Sequence, residues 1–424
     1  MIAVLLIIFF VVGYIAIAFE HPLGINKAAT ALMTGVLCWL MYFLEVHTVD
    51  EASEHLMHHL GDIASILFFL LGAMTIVELI DSHNGFEIIT QKIKTTDKGK
   101  LLIIVSVLTF FISALLDNLT TAIVMTSLCA KILHEKEDKF WFAGMIVIAA
   151  NAGGAWSPLG DVTTTMLWIG GQLTALNIMA KTFLASLAVA GLPLLILVNK
   201  FRGKKIKKPS VNKDLVSKES NTILITGVSL LVFVPVFKTV THMPPFMGML
   251  LALSMIWIVT TWIHARKHEH EKKKFSVANA LQKIDTPSIL FFLGILLAVA
   301  ALESFGMLKT FATFLDGTLK NDYLIGITLG LLSAIVDNVP LVAAAQGMYD
   351  LSAFPQDHRF WEFLALTTGT GGSTIIIGSA AGVAVMGIEN IDFMWYLKKI
   401  SWLALIGFIA GVLVFIGQQW LFHV

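Results

Sequence analysis

Two short phrases place an acid and an amide side by side in otherwise apolar surroundings. Asp117-Asn118 lies in the phrase Ser-Ala-Leu-Leu-Asp-Asn-Leu-Thr-Thr, and Asp337-Asn338 lies in Ser-Ala-Ile-Val-Asp-Asn-Val-Pro-Leu, 220 residues later. A charge at the depth of a lipid bilayer costs about 3 kcal/mol on insertion scales. A pair this costly that occurs twice, at matching places, predicts a duplicated site that handles an ion.

A phrase of helix-breaking residues follows each pair. The first covers residues 151–161 and contains a Gly-Gly pair and Ser157-Pro158, and the second covers residues 368–379. Proline removes a backbone donor and glycine loosens the backbone, so both phrases predict interrupted helices. Unwound backbone at membrane depth is tolerated where protein buries it or where it lines a cavity.

These phrases are rich in oxygen ligands, which small hard cations prefer over sulfur or imidazole. A carboxylate binds a cation or a proton, and binding one disfavours the other, as an exchanger of cations for protons requires. The residues predicted to bind Na+ or Li+ directly are Asp117, Asn118, Asn151 and Asp161. Further candidates for the cation and proton site are Thr120, Ser157, Asp337, Ser373 and Thr374.

Each acid also has a structural interpretation, because Asp, Asn and Thr are good helix N-caps. Asp117 and Asp337 would cap the second helix of a hairpin, and Asp161 would lie in the first turn after Pro158. Capping and ion contact are compatible with each other. Glu78, near the end of an apolar segment, is either a proton relay or an interfacial carboxylate.

The elements that position these residues are membrane helices. The chain has 424 residues, of which 57% are hydrophobic and only 14% are charged, whereas a soluble domain carries about a quarter of charged residues. Apolar runs near the spanning length of about 20 residues recur along the chain. We therefore predict an all-α polytopic membrane protein with about ten full spans plus two hairpins.

The two hairpins follow from the lengths and flanks of the Asp-Asn segments, residues 101–131 and 323–349. Each is too long for one span and too short for two, since a span takes about 20 residues. Lysines flank the first segment at both ends, and lysine-rich loops favour the cytoplasm, so this segment enters and leaves on the cytoplasmic side. The second then opens to the other side. With this topology, 24 of the 29 Lys and Arg residues are cytoplasmic.

The matched phrases predict two repeats of opposite orientation, a pattern typical of secondary transporters with a site near the bilayer midplane. The predicted organisation is N-terminal scaffold spans over residues 1–62, a first repeat over 63–199, a basic cytoplasmic linker over 200–221 and a second repeat over 222–424. Asp161 of the first repeat aligns with Ser379 of the second. This difference favours the first repeat as the one that holds the charged cation site.

Other signals are weak. His55, His58 and His59 lie in an external connection, and His55 and His59 have the i, i+4 spacing of a metal-binding pair but lack a third clear ligand. A solvated amphipathic helix is the preferred interpretation and pH sensing is the alternative. No P-loop lysine motif occurs, which disfavours transport driven by ATP. The sequence predicts no cofactor and no nucleic-acid partner, only the lipid bilayer and the transported ions.

The phrases around Asp117, Asp161 and Asp337 resemble those of the NhaD-type sodium/proton antiporters. These belong to the ion-transporter superfamily, which also includes divalent-anion/sodium symporters and arsenite pumps. The resemblance implies exchange of Na+ or Li+ for H+ across a bacterial inner membrane. It also implies a homodimer, with a scaffold domain and a mobile domain that moves like an elevator. The ion-handling positions that it implies are Asp117, Asn118, Asn151, Asp161, Thr163, Thr164, Ser333, Asp337, Asn338 and Ser373.

Three other functions remain open at this point. The first is a carrier of anions, either a sodium-coupled dicarboxylate carrier or an arsenite carrier, which needs a basic or hydroxyl-rich pocket. Hydroxyls are present in the phrases, but no Lys or Arg is. A channel is the second, although interrupted helices in opposed repeats favour a carrier. An intramembrane enzyme is the third, and no Ser-His or His-x-x-x-His pair at a shared depth supports it.

Overall fold

The protein is described here from a computed structural model. The described residues are 2–18, 20–46, 48–90, 95–206, 217–265, 267, 272–273 and 275–422. Their regular secondary structure is helical, apart from one bridging pair, Asp97 and Lys205. The predicted all-α fold class is confirmed. Part of the predicted linker, residues 207–216, lies outside the described residues.

The helices of the first half include one pair that forms a hairpin and one pair separated by a break. They are α1 (Ile2–Ala18), α2 (Glu20–Leu23), α3 (Lys27–Glu45), α4 (Val49–Ser82), α5 (Glu87–Thr90), α6 (Lys98–Leu116), α7 (Asn118–Ile132), α8 (Lys136–Gly154), α9 (Val162–Ile169) and α10 (Ala175–Phe201). We call α6 and α7 the first hairpin, and α8 and α9 the first broken helix.

The second half contains the same two kinds of pair. Its helices are α11 (Lys218–Thr241), α12 (Pro245–His264), α13 (Val277–Lys283), α14 (Thr286–Ser304), α15 (Met307–Leu319), α16 (Asp322–Leu332), α17 (Asn338–Met348), α18 (Arg359–Gly371), α19 (Ala380–Glu389), α20 (Phe393–Lys399) and α21 (Ser401–Phe422). We call α16 and α17 the second hairpin, and α18 and α19 the second broken helix.

Eight helices among the described residues are long and apolar enough to cross a membrane, namely α3, α4, α6, α10, α11, α12, α14 and α21. The chain is therefore a multi-pass membrane protein. The apolar segments 141–172 and 361–387 form the two broken helices, and the breaks fall within the two phrases, residues 151–161 and 368–379, that predict interrupted helices. The long α4 also includes the histidine segment that the sequence places in an external connection.

The breaks occur where side-chain caps start a new helix. Asp161 accepts a hydrogen bond from the backbone N–H of Thr163 and begins α9. Ser379 accepts one from the N–H of Gly382 and begins α19. Because the first N–H groups of a helix have no partner within it, these caps stabilise a helix that starts inside the protein.

Each hairpin packs against its broken helix through glycine. A Cβ on Gly153 would lie 2.2 Å from the carbonyl oxygen of Phe110 in the first hairpin. A Cβ on Gly371 would lie 1.9 Å from the carbonyl oxygen of Gly330 in the second. Both distances are far below van der Waals contact, so only glycine permits the two backbones to come this close.

Serine hydroxyls connect the same elements. Ser113 donates to the carbonyl of Ala150 at 2.6 Å, and Ser333 donates to the carbonyl of Thr368 at 2.9 Å. The two halves therefore use the same kinds of contact to hold a hairpin against a broken helix. The predicted inverted orientation of the two repeats stays a prediction.

A second group of helices packs around α3 and α14. A Cβ on Gly294 of α14 would lie 2.4 Å from the backbone nitrogen of Leu32, so these helices touch backbone to backbone. The indole nitrogen of Trp39 donates to the carbonyl of Leu297 at 2.9 Å. These contacts fix α3 against α14 along most of their length.

The glycine contacts predict a sharp difference between two substitutions. Gly371→Ala should lower the thermal unfolding temperature of the purified protein, because a methyl forced against a backbone carbonyl costs about 1–3 kcal/mol or more. Gly387→Ala is the matched control, since a Cβ there has no atom within 4 Å. Equal unfolding temperatures for the two variants would contradict the packing described here.

Candidate functional site

A polar cluster lies where the two hairpins meet the two broken helices. At its centre is Asp161, the N-cap of α9, whose exposed fraction is 2%. The cluster consists of Asp161 and the buried side chains around it, which are Asn118, Asn151, Thr163, Asn338, Ser373 and Ser379. The sequence predicts all of these as site residues except Ser379, which enters the analysis only through its alignment with Asp161.

Both hairpins donate hydrogen bonds to the Asp161 carboxylate. The Nδ2 atom of Asn118 donates to Asp161 Oδ2 at 2.7 Å. The Nδ2 atom of Asn338 lies 3.4 Å from each carboxylate oxygen and approaches from the second hairpin. Buried charges require such donors, and hydrogen bonds to an ionised group are stronger than neutral ones.

Helix α9 supplies the other donors to this carboxylate. The backbone N–H of Thr163 donates to Asp161 Oδ1 at 2.9 Å, and the hydroxyl of Thr163 donates to the same oxygen at 2.8 Å. The dipole of a helix also favours a negative charge at its first turn. Asp161 is therefore held in one orientation by three separate elements of the fold.

Asn151 connects the two broken helices. Its Oδ1 atom accepts a hydrogen bond from Asn118 at 3.0 Å. Its Nδ2 atom donates to the hydroxyls of Ser373 at 2.8 Å and Ser379 at 3.0 Å. A side chain with no exposed surface thus joins the first hairpin, the first broken helix and the second broken helix.

The cluster offers one carboxylate together with amide and hydroxyl oxygens, the ligand chemistry of a hard cation. Among the described residues, no group of three or more His, Cys, Asp or Glu side chains is placed to hold a metal ion. The cluster itself has a single carboxylate among neutral amides and hydroxyls, and a monovalent cation needs less negative charge than a di- or trivalent one.

Asp117 lies beside this cluster and is bonded within its own hairpin. Its Oδ1 atom accepts from the N–H of Thr120 at 2.7 Å, and its Oδ2 atom accepts from the Thr120 hydroxyl at 2.9 Å. Asp117 has a φ of +117°, a region that costs a residue with a side chain about 1–3 kcal/mol. The charge of Asp117 lies within electrostatic range of Asp161.

Asp337, at the tip of the second hairpin, has a basic partner. Its Oδ1 atom accepts from the N–H of Val339 at 3.2 Å and caps α17, while its Oδ2 atom lies 3.9 Å from Nζ of Lys27. Lys27 also lies 4.5 Å from the ring centre of Phe291 and lines a cavity of about 230 Å³. Asp337 is within electrostatic range of Asp161 as well.

Lys27 is a residue that the sequence reasoning missed. Lys27 lies outside the Asp-Asn phrases, at the start of α3. Its position at the first residue of a span was the only available signal, because a lysine usually lies at a membrane interface.

Several hydroxyls predicted at the site bind backbone carbonyls instead of the Asp161 carboxylate. Ser157 donates to Ala114 at 2.5 Å, and Thr164 donates to the carbonyl of Asp161 itself at 2.8 Å. Ser333 donates to the carbonyls of Gly330 and Thr368. The Thr374 hydroxyl is buried and has no hydrogen-bond partner among the described residues. The first three hydroxyls hold the backbone around the cluster.

Glu78 has its partners elsewhere in the protein. It accepts a hydrogen bond from Ser82 at 2.7 Å and pairs with Lys283 at 3.1 Å. These partners lie at the end of α4 and of α13, away from the residues that contact Asp161. The geometry matches an interfacial carboxylate, and a relay role stays a prediction.

The three histidines of α4 make separate contacts. The Nδ1 atom of His55 lies 2.5 Å from the Tyr42 hydroxyl, and Nε2 of His59 lies 3.2 Å from the Ser304 hydroxyl. His58 is exposed and pairs with Asp62 in the same helix. These contacts do not converge on one point.

The chain is similar to one transporter family and to several named antiporters. The family described as citrate transporter (CitMHS) matches residues 14–371. Sodium/proton antiporter 1 of Arabidopsis thaliana is 46% identical over 96% of this chain and 71% of its own length. Sodium/proton antiporter 2 of the same plant is 42% identical over 96% of this chain and 98% of its own length. The Na(+)/H(+) antiporter NhaD of Alkalimonas amylolytica is 30% identical over 98% of this chain and 90% of its own length.

The bonds of Asn151 predict its effect on stability. Asn151→Leu should destabilise the protein, because the Ser373 and Ser379 hydroxyls and the Asn118 amide each lose a buried partner, at about 1–3 kcal/mol per group. Thr164→Val is the control, since it removes a hydroxyl bonded only to the preceding turn. Thermal unfolding of both variants in detergent measures the difference, and a larger loss in Thr164→Val would contradict the assigned network.

The Lys27–Asp337 pair predicts an energetic coupling between the two side chains. Lys27→Met and Asp337→Asn should be non-additive in thermal unfolding by about 0.5 kcal/mol or more, as expected of residues in contact. Both side chains are less than a quarter exposed, so solvent screens the pair only in part. The exposed Lys100 gives the control, because Lys100→Met should add to Asp337→Asn without coupling. Full additivity for Lys27 would show that the ion pair does not form.

Proposed function

We infer that this chain, which belongs to the citrate transporter family (CitMHS), is a sodium/proton antiporter. The resemblance to NhaD-type antiporters that the sequence motifs indicate is confirmed by the family match and by relatives named as antiporters over nearly the whole chain. The chain is thus assigned to secondary transporters and not to enzymes. Its cargo is Na+ or Li+ in one direction and H+ in the other.

One observation carries this proposal: a single buried carboxylate, Asp161, is shared by the tips of both hairpins. Asn118 and Asn338 present amides to it from opposite elements. A proton or a cation that binds Asp161 neutralises the charge to which both amides donate. The two ligands compete for the same oxygens, so each displaces the other, as exchange requires.

The charges around the cluster favour cations over anions. Asp117 and Asp337 both lie within electrostatic range of Asp161, and like charges in a low-dielectric region repel strongly. A bound proton or cation relieves this repulsion. An anion would increase it.

The family description names citrate, so an anion carrier is the second candidate. A citrate or arsenite anion would need a basic pocket, and the ammonium of Lys27 is already paired with Asp337 at the tip of the second hairpin. An anion near Asp161 would therefore be repelled by the carboxylates of Asp161, Asp117 and Asp337, while the one lysine described beside them, Lys27, is already paired. This balance makes the antiporter the better assignment.

We further propose that the two hairpins and two broken helices form the moving unit. Helices α3 and α14 would belong to a fixed scaffold, because their backbones are packed against each other through Gly35 and Gly294. An elevator-like movement and a homodimer follow from the resemblance and form part of this proposal. The relatives come from both bacteria and a plant. The bacterial inner membrane is the location proposed here.

The proposal is tested with purified protein in liposomes that have an acidic interior and enclose a pH-sensitive dye. Adding Na+ or Li+ outside should dissipate the pH gradient between pH 7 and pH 9. Citrate or arsenite at the same ionic strength should not drive exchange. If neither alkali cation dissipates the gradient, the antiporter assignment is wrong.

The roles of the acids are tested by neutral isosteres in the same assay. Asp161→Asn should abolish exchange while folded protein is retained. The amide has nearly the size and shape of the carboxylate, but it cannot take up a proton. Asp117→Asn should also abolish exchange. Asp62→Asn is the matched control, since Asp62 is exposed and pairs with His58 in the same helix. Exchange retained in Asp161→Asn would overturn the central assignment.

A further inference from the structure

Gly369 lies in the second broken helix and faces the carboxylate of Asp161. A Cβ built on Gly369 would lie 3.7 Å from Asp161 Oδ2 and 3.4 Å from Cβ of Ala155. The residue is buried within α18, in ordinary helical backbone. Residue 369 therefore contributes no side-chain atom beside Oδ2, although a Cβ there would lie within van der Waals range of that oxygen.

The fold itself does not require glycine at this position. A Cβ on its neighbours Gly371 and Gly372 would lie 1.9 Å and 2.6 Å from backbone carbonyl oxygens. At Gly369 a methyl group would make only ordinary van der Waals contacts. Glycine inside a helix is about 0.8–1.0 kcal/mol less favourable than alanine, so this glycine lowers stability without a packing reason.

The other broken helix carries a large polar side chain at the matching place. Gly369 precedes the cap Ser379 by ten residues, as Asn151 precedes the cap Asp161. Asn151 fills its position with an amide that bonds Asn118, Ser373 and Ser379. The two broken helices therefore differ in a specific way: one fills the space beside the cluster, and the other leaves room for about a methyl group.

We propose that Gly369 is a specificity-determining position that sets the width of the cation site at Asp161 Oδ2. This inference rests on the proposed exchange of an alkali cation at Asp161. The methyl-sized space at residue 369 borders the oxygen at which the transported Na+ is coordinated. A methyl group at this position narrows that space and supplies no oxygen. Li+, the smaller cation, tolerates the narrowing better than Na+ does.

The variant Gly369→Ala tests the proposal in the liposome assay, with Na+ and Li+ titrated at one pH. The half-saturating Na+ concentration should rise by about tenfold, because one added carbon in a fitted site changes discrimination by about this factor or more. The half-saturating Li+ concentration should change by much less, so the Na+ to Li+ ratio should rise. An unchanged ratio, including an equal increase for both ions, would overturn the proposal.

Two controls make the outcome interpretable. Gly387→Ala makes the same change in α19, where a Cβ has no atom within 4 Å, and should leave the ratio as in the unmodified protein. Thermal unfolding of Gly369→Ala should match or exceed that of the unmodified protein. A loss of folded protein in this variant would show that packing requires the glycine, and would also overturn the proposal.

The same experiment separates the two levels of inference. Absence of exchange in the unmodified protein would refute the proposed function itself. Normal exchange in the unmodified protein, with an unchanged Na+ to Li+ ratio in Gly369→Ala, would refute only the role of Gly369.

Discussion

The structure depends on the burial of one carboxylate. Asp161 is almost fully enclosed, and a buried charge without donors costs several kcal/mol. Its donors come from the first hairpin, the second hairpin and the helix that it caps. The glycine contacts between each hairpin and its broken helix hold those donors within reach. The residues of the proposed ion site therefore also hold the four elements together, so a ligand at Asp161 would act on all four of them.

The duplicated framework contains a site that is not duplicated. Both hairpins present an amide to the cluster, but only the first broken helix is capped by an acid, whereas Ser379 caps the second. A second buried acid at that position would repel the first, since Coulomb energies are large where water is excluded. The second broken helix instead has an uncharged cap, Ser379, and a residue without a side chain, Gly369, near Asp161. This asymmetry leaves Asp161 as the one cap carboxylate of the two broken helices, as the proposed competition between a proton and a cation requires.

The sequence alone predicts much of this arrangement, because polar and helix-breaking residues that cost free energy to bury are easily recognised within apolar segments. The acid-amide pairs and the glycine-rich phrases identify both hairpins, both breaks and most of the cluster. The hydrogen-bond partners of individual hydroxyls were not predictable. Ser157 and Ser333 donate to backbone carbonyls that come within reach only when two helices pack together. Lys27 was missed for a related reason. Its partner, Asp337, is distant in the chain, and the sequence around neither residue indicates that the two side chains are in contact.

The contact between Lys27 and Asp337 has an electrical consequence. Lys27 begins α3, in the proposed fixed part, and Asp337 lies at a hairpin tip in the proposed moving part. If the tip of the second hairpin moves away from α3, the charges of Asp337 and Lys27 separate, and the negative charge of Asp337 moves through the electric field across the membrane. Moving one elementary charge across the full field is worth about 2.3 kcal/mol per 100 mV. The voltage across the bilayer then acts on the transport step directly, through a charge that belongs to the protein and not to its cargo.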